Sequence, residues 1–142
     1  SMDEAAPCIN EAVGLFRSKD LPVIWVQNEN RTNNIVPGSA GFEVIDTLNQ
    51  AETDKRIYKR YLNSFHKTDL LEYLTSRSID TVVVTGYAAE YCVLSTCRGA
   101  NEHDLTSFLL RGALASSNKE YIPFVEGIND IISLNVLKKF LE

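Results

Sequence analysis

A cysteine, Cys92, lies where a short apolar segment gives way to a helical pattern. Residues 81–85 form a β-branched run typical of a parallel strand buried on both faces, and Gly86 ends it. From about Glu90, small and apolar residues recur at helical spacing, which predicts Cys92 in the first turn of a helix. The unpaired N–H groups there favour a thiolate and can hold an oxyanion, which indicates a nucleophile. The alternative is a cysteine that only packs in the core.

Lys59 ends another strand-like segment, residues 55–59. An ammonium group near Cys92 would favour the thiolate and hold the carbonyl region of a substrate. The alternative is an exposed lysine in a basic stretch. The two histidines, His66 and His103, raise the rival hypotheses of a cysteine–histidine dyad or a metal site, but neither lies at a predicted strand end.

Helical and strand-like segments alternate along the chain, which predicts an α/β fold with three layers, α/β/α, around a mostly parallel, Rossmann-like sheet. Residues 28–41 are polar and rich in turn formers, and they follow a strand, so we interpret them as a lid. Besides the helix that contains Cys92, the predicted helices are 9–18, 42–48, 70–76, 119–127 and 134–141. The predicted strands are 21–27, 55–59, 81–85, 105–111 and 130–133.

Composition narrows the class of protein. The 142 residues carry a net charge of −5 and are 44% hydrophobic and 23% charged, which is typical of one globular domain and argues against nucleic acid as a partner. No apolar run approaches the length of a membrane span. The three cysteines are scattered, which favours reduced thiols and a cytoplasmic location.

Two motifs carry a resemblance to a known family. The run Val-Thr-Gly-Tyr-Ala-Ala-Glu-Tyr-Cys-Val-Leu-Ser-Thr-Cys-Arg-Gly-Ala, residues 84–100, resembles the nucleophile motif of the isochorismatase-like cysteine hydrolases. This superfamily includes nicotinamidases, carbamoylsarcosine amidases and isochorismatases. Residues 59–70, a strand-ending lysine followed by a Ser-Phe pair and then Thr-Asp-Leu, resemble its second motif.

The resemblance implies a function and roles for particular residues. Cys92 would be the nucleophile, Lys59 the catalytic lysine, and the Tyr87–Ala88 peptide bond would be cis. The backbone N–H groups of Ala88 and Cys92 would form the oxyanion hole. The reaction would be hydrolysis of a C–N bond in a small molecule, with hydrolysis of a vinyl ether as the less favoured alternative. We expect no cofactor and a homo-oligomer. The expected pocket walls are Trp25, Gln27, Phe65, Tyr87 and Tyr91.

The sequence departs from the family in two places. Gln27-Asn28-Glu29-Asn30 stands where nicotinamidases bind a metal, so we expect no metal. The family's first strand, with its catalytic aspartate, has no counterpart upstream of residue 9, and Asp3 cannot be mapped to that position. We therefore expect a single isochorismatase-like domain over residues 1–142 that is incomplete at its N-terminus.

That strand lies in the middle of the family's sheet, and its absence allows three hypotheses. An upstream segment is missing, the two flanking strands pair directly, or a partner chain fills the gap. The absent aspartate also favours a rival function, a catalytically silent member of the fold that acts through binding or assembly. Thiol chemistry that uses Cys92 and Cys97 is a weaker rival, because their spacing does not match a CxxC motif.

Overall fold

The computed structural model describes all 142 residues as alternating helices and strands. A 3₁₀ turn at Arg31–Asn33 and a π-helical turn at Ala89–Val93 complete the secondary structure. The helices are α1 (Met2–Ser18), α2 (Leu70–Ser76), α3 (Leu94–Glu102), α4 (Tyr121–Gly127) and α5 (Leu134–Phe140). The strands are β1 (Ile24–Asn28), β2 (Lys55–Lys59), β3 (Thr81–Tyr87), β4 (Thr106–Ala115) and β5 (Ile131–Ile132).

The strands form two parallel sheets rather than the single sheet that was expected. One sheet pairs β1 with β2, and the other has the order β3-β4-β5. The edges of β1 and β3 are not hydrogen bonded to each other. The hypothesis that the two flanking strands pair directly is therefore wrong for this chain.

Helices cover both faces of the strands, which confirms the α/β class. On one face α1 packs its buried residues Ile9 and Val13 with Leu110 of β4 and Leu137 of α5. On the other face α3 and α4 pack against β3 and β4, and α2 covers β2. Ala and Ile at helical spacing give α1 its buried stripe. A capping box between Ser1 and Glu4 starts this helix at Met2, earlier than the sequence pattern predicts.

The apolar residues of β3 are less buried than the sequence predicts. Val82, Val83 and Val84 are half-buried, although a strand of this composition is usually buried on both faces. In β1, Val26 is 38% exposed. The expectation of fully buried strands is wrong at these positions because a cleft separates β1 from β3.

Several element boundaries agree with the sequence, and one predicted helix is absent. β2 and α2 begin and end where predicted, whereas β4 continues to Ala115. Residues 42–48 form turns instead of the expected helix. The side chain of Asn10 holds this segment by donating to the Thr47 carbonyl at 2.8 Å and accepting from the Asn49 N–H at 2.8 Å. No helix is both long and apolar enough to cross a membrane.

Candidate active site

Cys92 lies in the π-helical turn that joins β3 to α3, at the carboxyl edge of the larger sheet. Gly86 adopts a φ of 111°, a conformation that residues with a Cβ rarely adopt, where the β3–β4 register shifts. The Tyr87–Ala88 peptide bond that follows is cis. The Cys92 thiol is half-buried and opens into a cavity.

Lys59 is a buried lysine whose charge faces the Cys92 sulfur. Its side chain extends from the last residue of β2, and the residue is 4% exposed. The Nζ donates to the carbonyls of Tyr61 at 2.8 Å and Leu62 at 2.9 Å, and it lies 3.1 Å from Cys92 Sγ. Each of the three N–H groups of the Lys59 ammonium therefore has a partner, which fixes the orientation of the ammonium group. The interpretation of Lys59 as an exposed lysine is wrong.

The loop after Lys59 is hydrogen bonded to α3, the helix that directly follows the cysteine turn. The Ser64 N–H donates to Thr96 Oγ1 at 3.1 Å, and the two hydroxyls are 2.8 Å apart. The Asn63 side chain packs so closely on Gly99 that a Cβ there would overlap with Asn63 Oδ1. These contacts hold the carbonyls that orient Lys59.

The turn before Cys92 is fastened to the end of β4. The Glu90 carboxylate accepts from Ser116 Oγ at 2.7 and 3.0 Å, and the Tyr87 hydroxyl is 2.8 Å from Ser117 Oγ. The turn is thus held from both sides, through α3 and through β4. Sequence reasoning finds Ser64 only as part of the second motif and misses its partner Thr96 and the Glu90–Ser116 pair, since only the fold brings these side chains together.

A backbone donor close to Cys92 is unused within the chain. The Ala88 N–H donates to no backbone or side-chain acceptor, although the residue is buried. Its carbonyl accepts from the N–H groups of Tyr91 and Val93, both at 3.1 Å. A buried N–H group is nearly always hydrogen bonded in proteins, so this one is available to a ligand. The role of Ala88 and Cys92 as an oxyanion hole stays a prediction.

A cavity of about 690 Å³ contains Cys92 and Lys59, and most of its lining is apolar. All five residues expected to wall the pocket line it: Trp25, Gln27, Phe65, Tyr87 and Tyr91. In two of these residues, a polar group is already hydrogen bonded within the chain. Trp25 Nε1 donates to Asp54 at 2.8 Å, and Gln27 Nε2 donates to the Phe42 carbonyl at 3.1 Å. These two side chains shape the wall more than they offer hydrogen bonds to a ligand.

The histidines lie outside this cavity. His66 packs edge-on against Tyr61, with ring centroids 4.6 Å apart, and His103 lies beside Phe65 at 5.6 Å. A cysteine–histidine dyad at Cys92 is therefore not formed.

Gln27, Glu29 and Asn30 use their polar side chains within the chain, whereas Asn28 lines the cavity. Glu29 pairs with Arg31 at 3.0 Å and Arg60 at 3.2 Å, and the hydrogen bonds from these two arginines hold the pKa of its carboxyl below the usual value. No group of three or more His, Cys, Asp or Glu side chains has a metal-binding arrangement. The expected absence of a metal stays a prediction.

The other two cysteines lie in different surroundings. Cys97 is fully buried under β4, and burial raises the pKa of its thiol. Burial, together with the charge of Glu11, also raises the pKa of Cys8, whose thiol donates to the Arg111 carbonyl. All three cysteines are free, and only Cys92 lies within hydrogen-bond distance of an ammonium group.

The fold and this site define an α/β domain of the isochorismatase type. The family model of the isochorismatase domain matches residues 1–124, and the chain belongs to this family.

Individual relatives agree with this assignment. The chain is 28% identical over 110 residues to the isochorismatase family protein YrdC of Bacillus subtilis, a match that covers 76% of this chain and 59% of YrdC. It is 25% identical over 142 aligned positions to the ureidoacrylate amidohydrolase RutB of Methylobacterium radiotolerans, covering 79% of this chain and 55% of RutB. It thus spans less than two thirds of the length of either relative.

Solved structures share the fold. The crystal structure of an isochorismatase-like hydrolase from Alkaliphilus metalliredigens superposes with a TM-score of 0.89 at 25% identity. That superposition covers 98% of this chain and 84% of the other.

Proposed function

We propose that this chain is a cysteine hydrolase that cleaves a C–N bond in a small molecule. The observation that carries the proposal is the 3.1 Å contact between Lys59 Nζ and Cys92 Sγ at the wall of the cavity. The family contributes the hydrolase class, and the name of RutB, an amidohydrolase, favours C–N bonds over vinyl ethers.

The first step is acylation of Cys92. The thiolate, paired with the Lys59 ammonium, attacks the carbonyl carbon of an amide, and a C–S bond forms as the carbonyl electrons move to oxygen. The free N–H of Ala88 and the N–H of Cys92 stabilise that oxyanion. When the intermediate collapses, the C–N bond breaks. The leaving nitrogen takes a proton from Lys59 and departs as an amine.

The second step is hydrolysis of the thioester. The neutral Lys59 amine accepts a proton from water, and the water oxygen attacks the acyl carbon. The C–S bond then breaks, which restores the thiolate and the ammonium and releases a carboxylic acid. In this scheme one lysine serves as acid and then as base, because no other titratable side chain hydrogen bonds to Cys92.

A binding protein without activity is the second candidate. None of the three hydrogen-bond partners of Lys59 is a carboxylate, so the site lacks the aspartate that the family resemblance implies. A weaker general base lowers the rate of both proton transfers, by about 10²–10⁴-fold where such catalysis is lost altogether.

Hydrolysis of a panel of small amides and carbamoyl compounds, ureidoacrylate among them, tests the proposal. We expect Cys92→Ala to abolish ammonia or amine release and Cys8→Ala to leave it unchanged, because Cys8 lies outside the cavity. Mass spectrometry of the denatured protein should find an acyl adduct on Cys92 alone. Release no faster than in buffer alone, for the parent protein and Cys92→Ala alike, would establish the silent alternative, and equal rates above that background would overturn the role of Cys92.

A further inference from the structure

Cys92 is the cysteine that lines the cavity and lies next to a positive charge. Its sulfur is half-buried, whereas Cys8 and Cys97 are not part of the cavity lining. The Lys59 ammonium donates to the Cys92 sulfur at 3.1 Å. Thiols that are accessible and close to a cation are the ones that peroxides oxidise most readily. Of the three thiols, Cys92 is therefore the one exposed to a small oxidant that enters the cavity.

The usual partners of an oxidised cysteine are not available to Cys92. A sulfenic acid commonly condenses with a second thiol to a disulfide, or with a backbone nitrogen to a sulfenamide. Cys97 is fully buried, and Cys8 lies on α1, outside the cavity. The backbone N–H of Val93, directly after Cys92, already donates to the Ala88 carbonyl at 3.1 Å. Neither a disulfide nor a backbone sulfenamide is favoured by this arrangement.

Lys59 supplies the nitrogen that contacts the Cys92 sulfur. The residue is 4% exposed, and the other two partners of its Nζ are the uncharged carbonyls of Tyr61 and Leu62. A thiolate balances the charge of the ammonium, but a neutral sulfenic acid does not. An ammonium that is buried without an anionic partner is unfavourable, so oxidation of Cys92 favours the loss of a proton from Lys59 to water. A neutral amine then lies against an electrophilic sulfur.

We propose that Lys59 and Cys92 form a redox-sensitive pair, in which hydrogen peroxide converts the contact between Lys59 Nζ and Cys92 Sγ into a covalent S–N bond, a sulfenamide. In the first step the sulfur attacks the peroxide. An S–O bond forms and the O–O bond breaks, so the sulfur loses two electrons and the peroxide is reduced, with release of one water. The product is a sulfenic acid at Cys92.

In the second step the Lys59 amine attacks the oxidised sulfur. An S–N bond forms and the S–O bond breaks, and the departing hydroxide takes a proton from the nitrogen and leaves as a second water. The cross-linked chain is therefore lighter than the reduced chain by two hydrogen atoms. The fold holds the two atoms 3.1 Å apart before the reaction, and the flexible lysine stem closes the remaining distance by rotation about its single bonds.

The cross-link is reversible and protects the sulfur. A thiol reductant attacks the sulfur, which frees the Lys59 amine and leaves a mixed disulfide at Cys92, and a second thiol restores the Cys92 thiol. While the S–N bond is in place, the sulfur is not oxidised further to the irreversible sulfinic acid. The inference does not depend on the proposed hydrolase activity, because the bond is detected by mass. A chain that forms the cross-link and hydrolyses nothing would overturn only the proposed function.

The test is oxidation of the fully reduced protein with a small excess of hydrogen peroxide, followed by trypsin digestion without reductant and mass spectrometry. We expect residues 57–60, which contain Lys59, to be joined to residues 78–98, which contain Cys92. The pair should be lighter than the two separate peptides by two hydrogen atoms, and dithiothreitol should separate it. A disulfide between Cys92 and Cys97 has the same mass change, but it lies within residues 78–98 and joins no second peptide.

Two variants provide a second measurement. Lys59→Met keeps a long unbranched side chain without the nitrogen, so the cross-link should be lost and oxidised Cys92 should gain two oxygen atoms, as in a sulfinic acid. Cys97→Ala is the matched control, because it removes a thiol outside the cavity and should keep the cross-link. The proposal is overturned if Cys92 of the parent protein stays reduced, carries only added oxygen, or bonds to Cys97. It is also overturned if residues 78–98 lose two hydrogen atoms in Lys59→Met as they do in the parent.

Discussion

The Lys59 ammonium and the Cys92 sulfur, 3.1 Å apart, come from the ends of strands in two different sheets. Two backbone carbonyls fix the ammonium on one sheet, and the π-helical turn fixes the sulfur on the other. The contact therefore depends both on the chemistry of the two side chains and on the position of the two sheets relative to each other.

Removal of Lys59 should make Cys92 slower to alkylate. The ammonium donates to the Cys92 sulfur at 3.1 Å, and the deprotonated form of a thiol is the one that reacts with iodoacetamide. We expect Lys59→Ala to reduce the rate of Cys92 alkylation at about pH 6.5 by tenfold or more, because a lost charge-assisted hydrogen bond is worth about 1.5–3 kcal/mol. Peptide mapping by mass spectrometry measures each cysteine separately.

Cys8 and Cys97 are internal controls in the same sample. Burial raises the pKa of each of these thiols, so both should stay unlabelled near neutral pH. Loss of structure in Lys59→Ala would expose Cys97 and label it, which separates unfolding from loss of the charge. An unchanged rate at Cys92 with Cys97 still protected would contradict the electrostatic role of Lys59.

The close contact between Gly99 and Asn63 should make Gly99→Ala destabilising. The added Cβ would overlap with Asn63 Oδ1, which also accepts from the Phe65 N–H at 2.9 Å. Although alanine favours a helix by about 1 kcal/mol over glycine, we expect a net loss of about 1–3 kcal/mol from overpacking. Urea denaturation measures the difference.

A double variant decides whether the contact is the cause. In Asn63→Ala the obstructing amide is gone, so adding Gly99→Ala to it should be neutral or stabilising. A Gly99→Ala penalty that persists in the Asn63→Ala background would place its cause elsewhere in α3.

Much of the local structure follows from the sequence, because it depends on local chemistry. β2 and α2 have the predicted bounds, and the glycine after the β-branched run marks the turn to Cys92. The segment 42–48 misleads because its conformation depends on the distant side chain of Asn10. The local sequence pattern of a segment does not indicate a hydrogen-bond partner that is distant in the chain.

The residue pattern of β3 does not indicate the cleft, although the resemblance to the family predicts a missing strand between the two flanking strands. Val82, Val83 and Val84 form the same β-branched run whether or not a strand lies beside them, so the pattern predicts burial that the fold does not provide. The resemblance predicts that Lys59 lies near Cys92. It does not predict the hydrogen bonds of Ser64 with Thr96 and of Glu90 with Ser116, because these join elements that are distant in the chain. Only the fold reveals these contacts.

Gly86→Ala should destabilise the protein through the backbone alone. No atom lies within 4 Å of an added Cβ, so the cost comes from the φ of 111°, and we expect about 1–3 kcal/mol. Gly14→Ala is the matched control, because a Cβ at this exposed position in α1 also meets nothing within 4 Å. There the same change should stabilise the protein by up to about 1 kcal/mol. Denaturation curves in urea of the two variants should shift in opposite directions, and a shift in the same direction would contradict the backbone explanation.

The Asp54 carboxylate should make stability depend on pH in the acid range. Its side chain is 6% exposed and accepts from Arg17, from Trp25 Nε1 at 2.8 Å and from the Ala51 N–H at 2.9 Å. Burial by itself would raise the pKa of Asp54, but the hydrogen bonds from these three donors and the charge of Arg17 outweigh it, so the pKa lies below the ordinary value. The carboxylate therefore binds its proton more weakly in the folded state than in the unfolded chain.

The sign of the effect follows from linkage. A carboxyl group whose pKa is lower in the folded state than in the unfolded chain contributes to stability. This contribution is complete above the pKa in the unfolded chain, about 3.9 for an aspartate, and it is lost as the pH falls through the lower pKa of the folded state. We expect Asp54→Asn to cost about 1–3 kcal/mol near neutral pH, because hydrogen bonds to a charged acceptor are lost. Below the folded pKa the two proteins should approach equal stability. Urea unfolding, followed by Trp25 fluorescence from about pH 6 down to about pH 3, measures the difference in free energy of unfolding between the two proteins. A difference that stays constant over this pH range would show that Asp54 stabilises the fold through its shape and not through its charge.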